Sequence, residues 1–357
     1  MRDTGVLDEA YERFARTGPE FGGYLSNHGP MAVEAMVRHG HGGSVHRWVD
    51  AYVRRLEDAP RGLAPVTEED WREALGDVRR VADWTAYFTR ELDGREWRTV
   101  LARWWPRLLP GIVAGATHGV IRVGHAVRTL LEAAEQPRPG DPRVVELAHA
   151  LAYWAARWQP VAGDASVRTG RLRPAAALAA VPPVADQSRG IAHRVPQLAT
   201  TAGWPDALGR LAPAATPEEA RGLLAELADA ATVHYLAHGH GDAVMLVHSA
   251  TAPTAVLRTL PALPPSLWAP GLAAAWAATA AVTAAYRPRA AAPASALRAL
   301  TSPRPDPADV LSRAVAHGDE HAIKFADTAL DAHTRTHDPR TLAAALRATH
   351  LIPPSRR

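Results

Sequence analysis

The chain has 357 residues, a formal net charge of +3 and no cysteine. A chain of this length can bury a substantial core, and the lack of cysteine excludes disulfides, thiolate metal sites and cysteine nucleophiles. Any bound metal must therefore rest on nitrogen and oxygen ligands. Acids and arginines are interspersed along the sequence, so nucleic acid is not an expected partner.

The beginning of the sequence does not have the composition of a secretory signal. Residues 1–15 carry acids and arginines instead of a continuous apolar run. The most apolar stretch, residues 271–286, is shorter than the roughly 20 residues that a bilayer-spanning helix requires. We therefore expect a cytoplasmic protein with no membrane partner and predict a buried helix over this stretch.

Helical periodicity dominates the sequence, and strand-like alternation is nearly absent. Apolar residues recur at three- and four-residue spacing in residues 33–37, 45–56, 71–88 and 144–158. Thr67, followed by three acids, is typical of a helix start, as is Thr216 followed by Pro217. No period of about 20 to 50 residues repeats along the chain, which argues against a solenoid of identical units.

These patterns predict an all-α fold. Because candidate ligands come from both ends of the chain, we expect a single large helical domain over residues 1–357 that encloses a central metal pocket. Proline-rich loops are predicted near residues 160–183 and 288–307, since proline disfavours continued helix. Gly111, Gly115 and Gly119 recur at four-residue spacing, which predicts a helix face that packs closely against a neighbour.

Four of the seventeen histidines lie next to apolar or glycine-rich segments, namely His28, His118, His248 and His321. Each one alone is more typical of a core histidine with a hydrogen-bond partner than of a metal ligand. His125 lies two helical turns after His118, about 10 Å along one helix face, so it is a candidate to line a pocket beside that residue.

Nine of the other twelve histidines fall into two groups. His234, His238 and His240 form a weaker alternative metal set, because their spacing suits zinc but the glutamate of a metalloprotease motif is missing. Six more occur in polar or turn-like segments and are predicted to lie on the surface: His39, His41, His46, His333, His337 and His350.

Lysine occurs once, at Lys324, among 40 basic residues. In a helix its side chain shares a face with His321, three residues earlier. A protonated amine repels a cation, whereas a neutral one can add carbon dioxide and become an anionic carbamate ligand. The alternative roles for Lys324 are a Schiff-base nucleophile, a counter-ion to a substrate acid, and a surface ion pair with Asp319 or Glu320.

Four segments occur in an order that resembles the questin oxidase family: GGYLSNHGP at residues 22–30, THG at 117–119, VHSAT at 247–251 and HAIK at 321–324. Members are oxygenases that open quinone or anthraquinone rings in aromatic polyketide pathways. The resemblance implies Fe(II) bound by His28, His118, His248, His321 and carbamylated Lys324. A sixth coordination position would remain for dioxygen or substrate.

Two positions depart from the family pattern as we expect it. Arg122 stands where a second histidine would follow His118 by four residues, and His125 stands where a tyrosine is usual. We place Arg122 and His125 in the substrate pocket, and we assign catalytic roles to Lys324 and His125. Both departures suggest a substrate that differs from an anthraquinone.

Four functions are compatible with the sequence. The first is a non-heme iron oxygenase that uses dioxygen and a small aromatic substrate. Five aromatic residues could line its pocket, but their helical spacing is more typical of the hydrophobic core: Trp104, Trp105, Tyr153, Trp154 and Trp276. The second is an NADPH-dependent Baeyer-Villiger oxygenase, whose reductant must come from an external reductase since no dinucleotide-binding glycine motif occurs. The third is a metal-dependent hydrolase, and the fourth a non-catalytic helical binding protein.

Overall fold

The computed structural model describes residues 2–302 and 304–355. Pro303, within the predicted loop 288–307, and the ends of the predicted domain 1–357 lie outside the described residues. The all-α prediction is confirmed, because helices account for nearly all regular structure within these ranges and the strands there amount to one short hairpin.

The chain divides into two compact units. The first comprises the chain up to Pro160 together with Arg258–Leu267, and the second comprises Val161–Leu257 and the chain from Trp268 onward. The predicted single domain with a central pocket is not tested by this division and stays a prediction.

The first unit begins with a helix and a hairpin and continues with seven more helices. In chain order its elements are α1 (Arg2–Ala15), β1 (Glu20–Phe21), β2 (Leu25–Ser26), α2 (Gly29–Arg38), α3 (Gly42–Val53), α4 (Trp71–Ala74), α5 (Val81–Gly94), α6 (Trp97–Leu108), α7 (His118–Leu131) and α8 (Pro142–Ala156). β1 and β2 pair antiparallel, with Glu20 opposite Ser26. Helix α8 packs against α1, α5 and α7, and α2 packs against α7.

Tryptophans form much of the core of the first unit. Trp71 and Trp84 each meet Trp104 edge to face, with ring centroids 5.2 and 5.3 Å apart. Trp105 and Trp154 pack in the same way at 5.5 Å. This geometry suits the aromatic quadrupole, and all five rings are buried. The core prediction is confirmed for all five residues to which it applied, namely Trp104, Trp105, Tyr153, Trp154 and Trp276.

The second unit contains the remaining α-helices, except that Arg258 and Thr259, at the end of the helix His248–Thr259, belong to the first unit. They are α9 (Pro174–Ala179), α10 (Ile191–Arg194), α11 (Trp204–Gly209), α12 (Pro217–His238), α13 (His248–Thr259), α14 (Trp268–Tyr286), α15 (Ala294–Thr301), α16 (Pro307–His317), α17 (Glu320–Thr336) and α18 (Pro339–Leu351). Helix α12 packs against α14, α17 and α18, and α16 packs against α17.

Short 3₁₀ helices connect several elements of the chain. They are Val78–Arg80, Leu109–Gly111, Val195–Thr200, Gly239–Gly241, Met245–Val247, Leu260–Ala262 and Pro265–Leu267.

The predicted buried helix is confirmed as α14. Among the described residues, the segment Pro265–Tyr286 is the one that is long and apolar enough to cross a membrane, and 72% of its most apolar window is buried. Its Trp276 indole donates a hydrogen bond to the Leu208 carbonyl at 3.0 Å. These properties are those of a core helix.

Some helix boundaries differ from the sequence predictions. Thr216 caps α12 as predicted, accepting from the backbone N–H of Glu219. The helix predicted over residues 71–88 is broken, because Gly76 adopts a φ of +80° between α4 and α5. The predicted loops 160–183 and 288–307 contain α9 and α15, each of which begins at or beside a proline, where the missing N–H costs nothing.

Candidate metal centre

The first unit holds a pair of buried histidines whose side chains face each other. His28 precedes the first residue of α2, and His118 is the first residue of α7. Their Nε2 atoms lie 2.6 Å apart, and the rings are perpendicular. Two nitrogens at about 2.1 Å from one ion and at right angles would be about 3 Å apart, so the pair has nearly the spacing of two metal ligands.

The backbone around His28 is fixed by its neighbours. Its N–H donates to the Tyr52 hydroxyl at 2.8 Å, and the next N–H, of Gly29, donates to Asn27 Oδ1 at 2.9 Å. A side chain at Gly29 would meet the ring of Phe14, since an added Cβ would lie 2.3 Å from it. The glycine thus lets α1 approach the histidine closely.

A left-handed turn precedes His118. Gly115, Ala116 and Thr117 have φ angles of +51°, +59° and +71°. Such angles are costly for a β-branched residue such as Thr117, whose buried hydroxyl has no hydrogen-bond partner among the described residues. The turn lets the Gly115 carbonyl accept a hydrogen bond from His118 Nδ1. A neutral His118 with its proton on Nδ1 presents the Nε2 lone pair to His28.

The prediction of a helix face at Gly111, Gly115 and Gly119 is therefore wrong for the first two positions. Gly111 lies in a 3₁₀ turn and Gly115 in the left-handed turn, and α7 begins only at His118. An added Cβ would lie 2.7 Å from the Tyr153 hydroxyl at Gly115 and 2.7 Å from Trp154 Cβ at Gly119. The backbone therefore packs closely against α8 at both glycines, but Gly115 lies in a turn and only Gly119 lies on a helix.

The second unit holds another histidine pair. His248 is the first residue of α13, and His321 is the second residue of α17. Their ring centroids are 5.6 Å apart, and a ring nitrogen of one lies within 4.8 Å of a ring nitrogen of the other. His248 Nδ1 donates to the Met245 carbonyl at 3.1 Å, and His321 Nδ1 lies 3.3 Å from Asp319 Oδ1. The acceptor at His248 Nδ1 favours the tautomer that presents Nε2 as the metal-binding nitrogen.

Asp319 has two contacts that fix the start of α17. Its carboxylate accepts from the N–H groups of His321 and Ala322, which makes it the N-cap. Although burial raises the pKa of this carboxyl group, its hydrogen bond and charge interaction with His321 outweigh that effect and lower the pKa. A carboxylate that is bound to its helix in this way stays ionised beside the imidazole.

Lys324 lies one helical turn after His321 and is completely buried. Its Nζ atom has no hydrogen-bond partner among the described residues. Burial lowers the pKa of this amine to about 7, and the negative charges of Glu320 and Asp319 offset only part of the effect. Because the amine is completely buried, it does not form a surface ion pair, which was one of the alternatives for this residue. The amine is partly neutral near pH 7 and has the nucleophilic form that addition of carbon dioxide needs.

His125 belongs to a buried network on α2 and α7. Its Nδ1 lies 2.6 Å from Glu34 Oε2, and Arg128 Nε donates to Glu34 Oε1 at 2.7 Å. Arg258 Nη1 lies 3.5 Å from His125 Nε2. Desolvation by burial lowers the pKa of His125 despite the neighbouring carboxylate. The imidazole is therefore neutral at pH 7.

Arg122 forms a second buried ion pair on α7. Its Nε and Nη2 atoms donate to the two carboxylate oxygens of Glu146 at 2.6 and 2.7 Å. Burial lowers the pKa of Arg122, but Glu146 outweighs that and raises it. Two of its nitrogens are thus committed to Glu146. The assignment of Arg122 and His125 to a substrate pocket stays a prediction.

The other histidine predictions have mixed outcomes. His234 and His238 stack with centroids 3.9 Å apart, but within the described residues no group of three possible metal ligands includes them. Of the six histidines predicted on the surface, His333 is buried, so that prediction is wrong. Its Nδ1 donates to the Asp338 carbonyl at 3.1 Å where α17 ends, which satisfies the ring inside the protein.

Sequence reasoning missed the groups that orient the candidate ligands. The backbone carbonyls of Gly115 and Met245 carry no side-chain signal, and Glu34 and Arg128 are separated by 94 positions. The sequence alone predicts Asp319 only as a possible ion-pair partner of Lys324. Its position directly before a helix and two residues before a histidine is the sequence signal that could have predicted its role beside His321.

The fold and these side chains define an all-α protein with buried histidine clusters that could hold a metal ion. Residues 25–135 match the family described as Questin oxidase-like, which confirms the predicted resemblance. His28, His118, Arg122 and His125 fall within the matched residues, and the second histidine pair follows them. No curated protein matches the chain significantly. The family match points to an oxidase or oxygenase.

Proposed function

We propose that the chain is a non-heme iron oxygenase that oxygenates or cleaves the ring of an aromatic polyketide, such as a quinone, an anthraquinone or a related phenol. The observation that carries the proposal is Lys324, a completely buried amine one turn from His321, with no hydrogen-bond partner in the part of the chain that the structure describes. The match to the Questin oxidase-like family supports the reaction class.

The proposed ligands are His28, His118, His248 and His321 through Nε2, and a carbamate oxygen on Lys324. The donor set fits Fe(II), which accepts nitrogen and oxygen ligands. Carbon dioxide would add to the neutral lysine amine with loss of one proton, leaving a carbamate with one negative charge. Iron bound there would supply the one-electron chemistry toward dioxygen that amino-acid side chains lack.

The protein's own groups would orient and desolvate the reactants. The oxygen acceptors at Nδ1 of His118 and His248 hold the rings with Nε2 available. His125, neutral and bound to Glu34, is the proposed proton acceptor for a phenolic substrate. The protein would work in the cytoplasm and, where a reductant is needed, receive electrons from NADPH through an external reductase.

Metal analysis of untagged protein tests the proposal. We expect about one iron per chain, loss of iron in Lys324→Ala, and recovery when a short carboxylate such as acetate is added. Oxygen uptake with a phenolic or quinone panel, with and without NADPH, then measures the reaction. A natively purified protein without metal would overturn the proposal, and zinc pairs in place of iron would indicate a hydrolase instead.

A further inference from the structure

The network around His125 contains groups that the proposed function does not yet use. Glu34, from α2, is 2% exposed and accepts hydrogen bonds through both carboxylate oxygens. Arg128, one turn after His125 on α7, donates to Glu34 through Nε at 2.7 Å and also through Nη2. Glu34 is thus a buried carboxylate that Arg128 holds in place and that contacts the His125 ring at Nδ1.

The neighbours of the ring determine which nitrogen carries its proton. A carboxylate only accepts hydrogen bonds, so the 2.6 Å contact between Glu34 Oε2 and His125 Nδ1 requires a proton on Nδ1. A guanidinium only donates, so Arg258 Nη1, 3.5 Å from Nε2, favours a lone pair there. Both contacts select the same neutral tautomer.

One contact opposes this assignment. Arg128 Nη2 lies 3.4 Å from His125 Nδ1 and would favour a lone pair on that nitrogen. The carboxylate is 0.8 Å closer, and its bond to the ring is charge-assisted, so it decides the position of the proton. Glu34 remains charged inside the protein, because Arg128 and His125 outweigh the effect of burial and lower its pKa.

We propose that Glu34, held by Arg128, is a positioning residue that fixes His125 as its Nδ1–H tautomer. The Nε2 lone pair is thereby kept ready to accept a proton, and Arg258 lies beside it to favour the anion that a phenol becomes on losing that proton. The catalytic consequence rests on the proposed function, whereas the tautomer does not.

NMR of protein labelled with ¹⁵N in histidine tests the tautomer in metal-free protein, without substrate. The His125 signals are assigned from their loss in His125→Asn. Wild-type protein is compared with Glu34→Gln, which removes the charge, and with Glu34→Asp, which keeps it. Glu146→Gln is the matched control, since Glu146 also binds an arginine of α7 through two buried hydrogen bonds but has no hydrogen bond to His125.

We expect His125 in wild-type protein to carry a single, strongly deshielded and slowly exchanging proton on Nδ1. Glu34→Gln is expected to move the ring to a mixture of tautomers, or to shift that proton upfield, whereas Glu34→Asp and Glu146→Gln retain the wild-type tautomer. A wild-type ring protonated on Nε2, or on both nitrogens, overturns the proposal, even if Glu34→Gln does not fold.

An unchanged Nδ1 signal in folded Glu34→Gln also overturns it, because the carboxylate would then not control the proton. A protein that binds no iron or consumes no oxygen but shows the expected tautomers would contradict the proposed function alone. Loss of the Nδ1 signal in Glu146→Gln as well would indicate a general effect of buried charge and would likewise refute the specific role of Glu34.

Discussion

Replacing Lys324 by methionine should stabilise the metal-free protein near neutral pH, although it removes a proposed ligand. The side chain is completely buried, and its amine has no hydrogen-bond partner among the described residues. In the unfolded chain the same amine is hydrated and protonated. Methionine has a similar length, no charge and a flexible side chain that adapts to its surroundings. The substitution therefore removes the cost of burying an amine and leaves most of the packing intact.

The size of this effect follows from the pKa of the lysine. Burial lowers it from the ordinary 10.5 to about 7. One pKa unit corresponds to about 1.4 kcal/mol, so at pH 7 and below the lysine destabilises the fold by roughly 4 to 5 kcal/mol relative to an always-neutral side chain. Between pH 7 and 10.5 the unfolded state binds more protons than the folded state, so wild-type stability rises with pH. From pH 7 to 9 this contribution is about 2 kcal/mol.

The assay is urea unfolding of metal-free protein in carbonate-free buffer at pH 7 and pH 9, with Lys324→Met and Lys324→Arg measured alongside. We expect the advantage of Lys324→Met over wild type to shrink by about 2 kcal/mol between the two pH values. Lys324→Arg should be destabilised at both, because guanidinium does not lose its proton in this range. An advantage of Lys324→Met that does not change with pH would refute the inference that this amine loses its proton on folding.

Two further substitutions test the groups that orient the histidines. Gly115→Ala should destabilise the protein by about 1–2 kcal/mol or more and weaken iron binding, because φ is +51° and the new Cβ meets the Tyr153 hydroxyl. The control Gly140→Ala, at φ +81° in open space, should lower stability but leave iron affinity unchanged. Thermal denaturation measures the stability of both variants, and metal titration measures their iron affinity. Asp319→Ala should lower iron affinity by roughly 10- to 100-fold. The control Asp306→Ala removes the matching N-cap of α16 and should lower stability by about 1 kcal/mol without changing iron affinity. Equal iron affinities in the two variants would refute the role of Asp319 in orienting His321.

Helix content and burial were predictable because they depend on local pattern. The cap at Thr216 and the apolar stretch of α14 occur where the sequence places them. The break at Gly76 was missed, because the apolar spacing continues on both sides and a single glycine is compatible with a helix. The helices within the proline-rich segments were missed for a related reason: proline disfavours the interior of a helix but suits its first turn.

The candidate site was predictable in its residue types more than in its geometry. The rarity of lysine drew attention to Lys324, and its spacing from His321 placed both on one helix face, which α17 confirms. The pairing of His28 with His118 depends on contacts across 90 positions, which periodicity does not encode. The left-handed turn at Gly115 was hidden because the glycine spacing also fits a helix, and only the tertiary packing against Tyr153 selects the turn.

The position of the histidines within their helices bears on the charge that an ion would need. His28 caps α2, and His118, His248 and His321 each lie in the first turn of a helix. A helix N-terminus carries a partial positive charge, so these rings lie in a field that attracts anions. The same field opposes a divalent cation that is held by neutral nitrogens alone. An anionic ligand would compensate for it, and because arginine cannot form a carbamate, the proposed carbamylation of Lys324 would be a chemical reason for the one lysine in the sequence.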